Sequence, residues 1–158
     1  MKVFQFLFLG LVLALTSCGE TTANKTAEAK TDAVENTTAE TNTVAVADKV
    51  ELIDFYGTHR CVTCKAIEAN AGYTVDTYFA DEKKAGKVIF KTVNVDDEAN
   101  YDMAEIYEAT GTALFLNVVK DGKETHIDLT DFAFDKGTEQ AEFSAELKAK
   151  IQAELATL

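Results

Sequence analysis

Asp54-Phe55-Tyr56-Gly57-Thr58-His59-Arg60-Cys61-Val62-Thr63-Cys64-Lys65 carries an apolar run into a short polar turn and ends on two cysteines separated by two residues. A C-x-x-C placed after a buried strand and at the start of a helix reads as a dithiol/disulfide redox pair. Two intervening residues in a first helical turn bring both sulfurs to one end of the helix, close enough to bridge. There the first thiol, Cys61, meets unpaired backbone N–H groups and the positive end of the helix dipole, which favour the thiolate, the attacking species.

Outward from this stretch the chain alternates strand and helix patterns. Residues 50–56 are mostly apolar, as in a strand buried on both faces. A helix is predicted from Cys64, with Ile67, Ala71, Val75, Tyr78 and Phe79 on one side and Gly72 as a site for a kink. Residues 87–95 predict a second strand, parallel to the first through a helical crossover. Asp96 or Asp97 is the expected cap of a helix whose buried stripe is Met103, Ile106 and Tyr107, with Gly111 as its stop. Residues 113–119 and 124–129, joined at Asp121-Gly122, predict an antiparallel hairpin. From Thr138 to about Leu155, Phe143, Leu147, Ile151 and Leu155 recur at helical spacing. The order β-α-β-α-β-β-α predicts an α/β domain over residues 46–158, a mixed β-sheet flanked by helices on both faces.

Leu52-Ile53-Asp54-Phe55-Tyr56 ahead of the cysteine pair, Val93-Asn94-Val95-Asp96, and the run from Tyr107-Glu108-Ala109-Thr110-Gly111 to Lys120-Asp121-Gly122 together resemble the thioredoxin family over roughly residues 46–156. A thioredoxin-like fold is what the resemblance implies. Gly57 to Cys64, Glu68 and Gly111-Thr112-Ala113-Leu114-Phe115-Leu116 also resemble a narrower group, thioredoxin-like proteins named as subunits of a nitrophenyl-compound nitroreductase associated with arsenic resistance. That likeness implies electron supply to nitro reduction, with a protein redox partner such as a second nitroreductase subunit. The family's cis-proline, which shapes the substrate groove opposite the cysteines, has no counterpart, because the chain has 0 Pro; Thr112 or Ala113 falls there. A non-proline cis bond costs about 2.5–4 kcal/mol, so a trans bond and a differently shaped groove are expected. Arg60 stands where thioredoxins have tryptophan. Asp54 is one residue further from Cys61 than the family's buried proton-relaying acid, and matches it approximately.

Ahead of the domain, Met1-Lys2 and the apolar residues 3–15 have the form of a secretory signal, too short for a permanent bilayer span. Leu15-Thr16-Ser17-Cys18 resembles the lipobox of bacterial lipoproteins, which implies cleavage of residues 1–17 and a mature chain anchored through acylated Cys18. Gly19, where an aspartate implies inner-membrane retention in many Gram-negative bacteria, favours the outer membrane over the inner. The implied location is extracytoplasmic, in the bacterial cell envelope. Residues 20–45 are rich in Thr, Ala, Glu and Asn and contain no Phe, Leu, Ile or Tyr, so residues 18–45 read as a lipidated start and a disordered tether. Such a coil reaches roughly 25–30 Å on average.

Loss of residues 1–17, with one lysine and no acid, takes the formal charge from -12 to -13. A domain so acidic is poorly suited to nucleic acid, and an anionic lipid surface repels it. Acylation of one of the 3 cysteines leaves the pair at 61 and 64. A disulfide closing so small a loop stabilises little, which favours redox chemistry over a staple. Zinc would need two further ligands, and the chain has 2 histidines, His59 and His126, so no metal site is expected. Copper held by the two thiolates and a histidine, as in a metallochaperone, is the better metal reading. The other alternative is a redox-inactive partner-binding domain; no cofactor beyond the dithiol is expected. His59 and Arg60 either lower the thiolate's pKa or are solvated turn residues. Lys65 is expected to face solvent and His126 to point outward from its strand.

Overall fold

The computed structural model describes residues 47–158. The signal segment, Cys18 and the tether expected through residue 45 lie outside the described residues. The elements are β1 (Lys49–Tyr56), α1 (Val62–Tyr78), α2 (Ala80–Lys84), β2 (Val88–Asn94), a 3-10 turn (Glu98–Asn100), α3 (Tyr101–Ile106), β3 (Ala113–Lys120), β4 (Lys123–Asp128), α4 (Thr130–Lys136) and α5 (Gln140–Leu155). The sheet order is β2-β1-β3-β4. β2 runs parallel to β1, with Val50 opposite Val88, whereas β3 is antiparallel to both β1 and β4. This is the mixed, helix-flanked sheet of the thioredoxin-like fold, as the order of the sequence patterns predicts.

Because side chains alternate along a strand, β1 divides its residues between two cores. Val50 and Leu52 join Ile67, Ala71 and Val75 of α1, Ala133 of α4, and Phe143, Leu147 and Ile151 of α5. Ile53 and Phe55 point to the other side, where they pack with Tyr107 and Ala109 beyond α3 and with Val93 and Phe115. At roughly 1.5–3 kcal/mol for each fully buried side chain, Val50, Leu52, Ile53 and Phe55 contribute on the order of 6–12 kcal/mol. That is enough for one strand to carry two buried acids, Glu51 and Asp54, one toward each face.

Several local expectations are corrected. α1 passes unbroken through Gly72, where an added Cβ would lie 3.2 Å from the Phe90 ring. Glycine there lets the helix approach the sheet rather than bend. Tyr78 is exposed, whereas Phe79, the residue that ends the helix, is buried as expected. Of the stripe expected along the six-residue α3, Tyr107 is buried and Met103 packs partly buried against the same cluster, but Ile106 is 64% exposed and Ala104 is covered instead. Its chain reversal comes at Glu108, with φ +52°, three residues before the expected glycine stop. The Glu108 and Ala109 N–H groups bond back to the Glu105 and Ala104 carbonyls, satisfying the helix end. α2 and α4 are additional to the expected order.

α4 fixes the position of the helix that carries the cysteines. A Cβ at Gly137, just past α4, would come within 2.5 Å of the Ala133 carbonyl, 2.7 Å of Ile67 and 3.2 Å of Thr63. The Asn70 side-chain amide donates to the Gly137 carbonyl at 2.8 Å. The first turns of α1 are therefore held against this corner without room for a side chain. No helix of the described residues is long and apolar enough to cross a membrane.

Candidate redox site

β1 ends at Tyr56, and the turn 57–60 brings the chain to α1, which begins at Val62 with Cys61 as its N-cap. Cys61 has extended backbone angles (φ -73°, ψ 168°), and its sulfur accepts the Cys64 N–H at 2.9 Å. An N-cap side chain takes up a helix-start donor that would otherwise lack a partner; here the acceptor is sulfur. The two cysteines are joined in a disulfide with Cα atoms 5.0 Å apart. Cys61 is exposed, Cys64 is 8% exposed, and between them Val62 is 83% exposed. One sulfur thus faces solvent at the positive end of a 17-residue helix, and the other lies behind it.

The turn itself is pinned from β2's side of the molecule. Asp96 Oδ2 accepts the Thr58 N–H at 2.6 Å, a bond that, with a smaller contribution from the His59 charge, holds the Asp96 carboxyl below the usual carboxylate range. Asp96 therefore serves the redox turn. Asp97 is the cap, accepting the Ala99 N–H at 3.1 Å at the start of the 3-10 turn. His59 and Lys65 are exposed.

Arg60 turns inward. Its guanidinium lies 4.5 Å above the Tyr56 ring, reaches Asp54 Oδ2 at 3.4 Å and the Cys64 carbonyl at 3.3 Å, and pairs with Glu68. Its polar contacts among the described residues include none to the Cys61 sulfur. Asp54 has no exposed surface. Burial pushes its carboxyl up, the Arg60 charge opposes this and Glu68 adds to it, leaving the group at about 7. Glu51, three residues earlier and therefore on the opposite face, behaves differently. Burial works to raise it too, but donors from Lys49 (2.8 Å), Lys91 (2.7 Å) and Asn117 (3.1 Å) outweigh that effect and hold it below the usual range. Three close donors keep one buried acid charged, and half a guanidinium does not do so for the other.

Thr112 and Ala113 lead into β3, where Ala113 stands opposite Phe55 at the end of β1 that runs into the redox turn. Their peptide bond is trans, with no cis bond among the described residues. They line a groove of about 550 Å³ with Tyr107, Phe115, His126 and Asp128, and neither cysteine lines it. His126, on the edge strand β4, does not simply point outward as expected: its ring lies against the buried Tyr107, stacked at 4.1 Å. Burial, with Glu124 and Glu51 adding to it, raises the Tyr107 hydroxyl to about 12. Among the described residues no group of three or more His, Cys, Asp or Glu side chains is arranged to hold a metal ion.

No family model and no curated relative matches the chain. Among solved structures it is similar to a thioredoxin from Thermus thermophilus, at 19% identity over 64% of this chain and 72% of that one, with a TM-score of 0.44. It is also similar to mitochondrial thioredoxin 3 from Saccharomyces cerevisiae in its oxidized form, at 26% identity, 58% and 78% coverage and a TM-score of 0.37. A third is the thioredoxin of Fasciola hepatica, at 24% identity, 57% and 78% coverage and a TM-score of 0.34.

Proposed function

We propose that the protein is a lipid-anchored thiol–disulfide oxidoreductase of the bacterial cell envelope that passes electrons to a protein partner through Cys61 and Cys64. The observation that carries this reading is the inequality of the two sulfurs: Cys61 exposed at a helix N-cap, Cys64 buried behind it. In the reduced protein the Cys61 thiolate attacks one sulfur of a partner disulfide. A Cys61–partner disulfide forms, and the other partner sulfur leaves as a thiolate. Cys64 then loses its proton, its thiolate attacks the Cys61 sulfur, and the second partner thiolate is released. The partner gains two electrons as Cys61 and Cys64 return to the disulfide. Asp54, tied through Arg60 to the Cys64 peptide, is the acid that takes up the Cys64 proton.

The finer reading is that the partner belongs to a nitroreductase acting on nitrophenyl compounds. It is supported by the likeness of residues 57–64, Glu68 and 111–116 to thioredoxin-like subunits of that name. The electron count agrees, since one dithiol delivers two electrons and conversion of a nitro group to a nitroso group consumes two electrons and two protons, releasing water. Leu15-Thr16-Ser17-Cys18 supports the anchor.

The test is trapping in cells that express the full chain. Cys64→Ser is expected to accumulate a covalent complex with an envelope protein, visible on non-reducing gels and lost on reduction, and Cys61→Ser to accumulate none. In the same cells Cys18→Ala moves the protein from the membrane to the soluble fraction. Absence of any complex from Cys64→Ser would remove the oxidoreductase reading and leave a binding module; metal that copurifies and is lost in Cys61→Ser would select the metallochaperone.

A further inference from the structure

Two acids share one guanidinium beneath the disulfide. Nη1 of Arg60 pairs with Glu68 Oε2, and Nη2 stands 3.4 Å from Asp54 Oδ2, the long edge of hydrogen-bonding distance, while also reaching the Cys64 carbonyl. One cation cannot neutralise both carboxylates. The close contact goes to Glu68, whose side chain is 34% exposed and least needs it, and the long one goes to Asp54, which has no exposure. Asp54 Oδ1 and Arg60 Nε are buried without hydrogen-bond partners among the described residues, so the guanidinium fork is incompletely used on the buried side. Among the described residues no other charge compensates Asp54. Its neighbours in register, Thr92 on β2 and Leu114 on β3, are uncharged. So are Ile67, Ala133, Phe143, Leu147 and Ile151, the buried residues that α1, α4 and α5 place on its side of the sheet. Among the described residues, Arg60 and Glu68 are the charges acting on it, with the Cys61–Cys64 pair above.

We propose that Arg60 is a positioning residue and Glu68 its competing acid: how the guanidinium is divided between Glu68 and Asp54 sets how readily Asp54 exchanges a proton on the Cys64 side of the disulfide. This inference rests on the thiol–disulfide activity proposed above. It converts Glu68, a half-exposed helix residue with no contact to sulfur among its hydrogen bonds, into a control on the second chemical step. Resolution requires Asp54 as the carboxylate, so that it can receive the proton that Cys64 gives up before attacking Cys61. Removing the Glu68 charge leaves the guanidinium to Asp54 alone, and the carboxylate is favoured. Removing the Arg60 charge leaves Asp54 without a cation beside a second acid, and the neutral form is favoured. The two substitutions therefore act with opposite sign, which neither a packing role for Arg60 nor a solvated Glu68 produces.

The experiment is a carbon-13 carboxyl NMR titration of Asp54 in the oxidised full-length chain and in Glu68→Gln, Arg60→Gln and Arg60→Lys, paired with the pH profile of release of a model aromatic disulfide's second thiolate. The Asp54 midpoint is expected to fall by about one pH unit in Glu68→Gln and to rise by about one pH unit or more in Arg60→Gln. Arg60→Lys, which keeps the charge and loses the fork, is expected between the wild type and Arg60→Gln. The resolution profiles move with the midpoints. An unmoved midpoint in Glu68→Gln, or movement of both variants in one direction, overturns the proposal. Glu68→Gln lies at the surface edge of the network and keeps the test decisive if Arg60→Gln fails to fold. The titration uses the disulfide form and needs no partner, so failure of exchange in the wild type would overturn the oxidoreductase reading alone. Wild-type exchange with unmoved titrations would overturn this inference alone.

Discussion

Replacing Cys61 by serine is expected to reduce turnover of a model disulfide to background, a loss on the order of 10³-fold, whereas Cys64→Ser retains the first attack and stalls after it. The reason is that the two sulfurs have different surroundings at the start of α1. Cys61 is the N-cap, with its sulfur already accepting a backbone N–H at 2.9 Å and open to solvent, so a thiolate formed there has a donor and the helix dipole in place. Serine in that position keeps the cap and loses the nucleophile. The fold should hardly change, because a loop of sequence separation 3 contributes little chain-entropy stabilisation. Loss of a group that performs the bond-making step characteristically costs about 10³-fold or more. Single-turnover release of an aromatic thiolate checks it: the wild type releases two equivalents, Cys64→Ser releases one and retains the other as a mixed disulfide, and Cys61→Ser releases neither at a comparable rate.

Asp54→Asn is expected to stabilise the protein strongly at pH 8 and hardly at all near pH 4. In the folded protein burial raises the Asp54 carboxyl from 3.8 to about 7. A group whose folded pKa is raised binds its proton more tightly in the native state than in the unfolded chain. Stability is therefore fully present below about pH 4, is lost as the pH rises toward about 7, and stays at the lower level above that. At about 1.4 kcal/mol per pH unit, the charged Asp54 costs an upper limit of about 4 kcal/mol at pH 8. Asparagine does not ionise and escapes this cost. Arg60 does not become an orphan, since it retains Glu68 and the Cys64 carbonyl. Urea unfolding of the oxidised protein at the two pH values measures the difference. An equal gain at both, or none at pH 8, would show that Asp54 carries no such burden. The same variant should resolve mixed disulfides more slowly, a stability–activity trade-off placed in one side chain.

The strands and the cysteine pair were legible in the sequence because each is written in local pattern: an apolar run for β1, a crossover-length helix, and a C-x-x-C at their junction. α4 was not, because Phe132 and Phe134 alternate two apart, presenting no helical stripe, and the helix owes its place to the tight corner at Gly137. α2 buries none of its residues, so no apolar period marks it. Glu108 takes the left-handed turn that glycine usually takes, and a residue-type rule therefore looks for the α3 stop at Gly111. In the site, residue types announced a cation beside Cys61, but a long arginine side chain can turn either way, and only the packed structure shows it lying over Tyr56 toward Asp54. The Glu51 network and the Asp96 clasp depend on register and on a contact 38 residues apart in the chain, which local pattern does not contain.

The central claim, that Cys61 is the attacking thiolate and Cys64 the shielded resolving thiol, is tested most directly by the pH dependence of alkylation of each cysteine in the reduced protein, read by mass spectrometry. The account predicts that Cys61 is labelled first, with a rate that rises through a midpoint below the free-cysteine value of about 8.5, and that Cys64 is labelled only after it. Equal labelling of the two, or a Cys61 midpoint at the free-cysteine value, would contradict it.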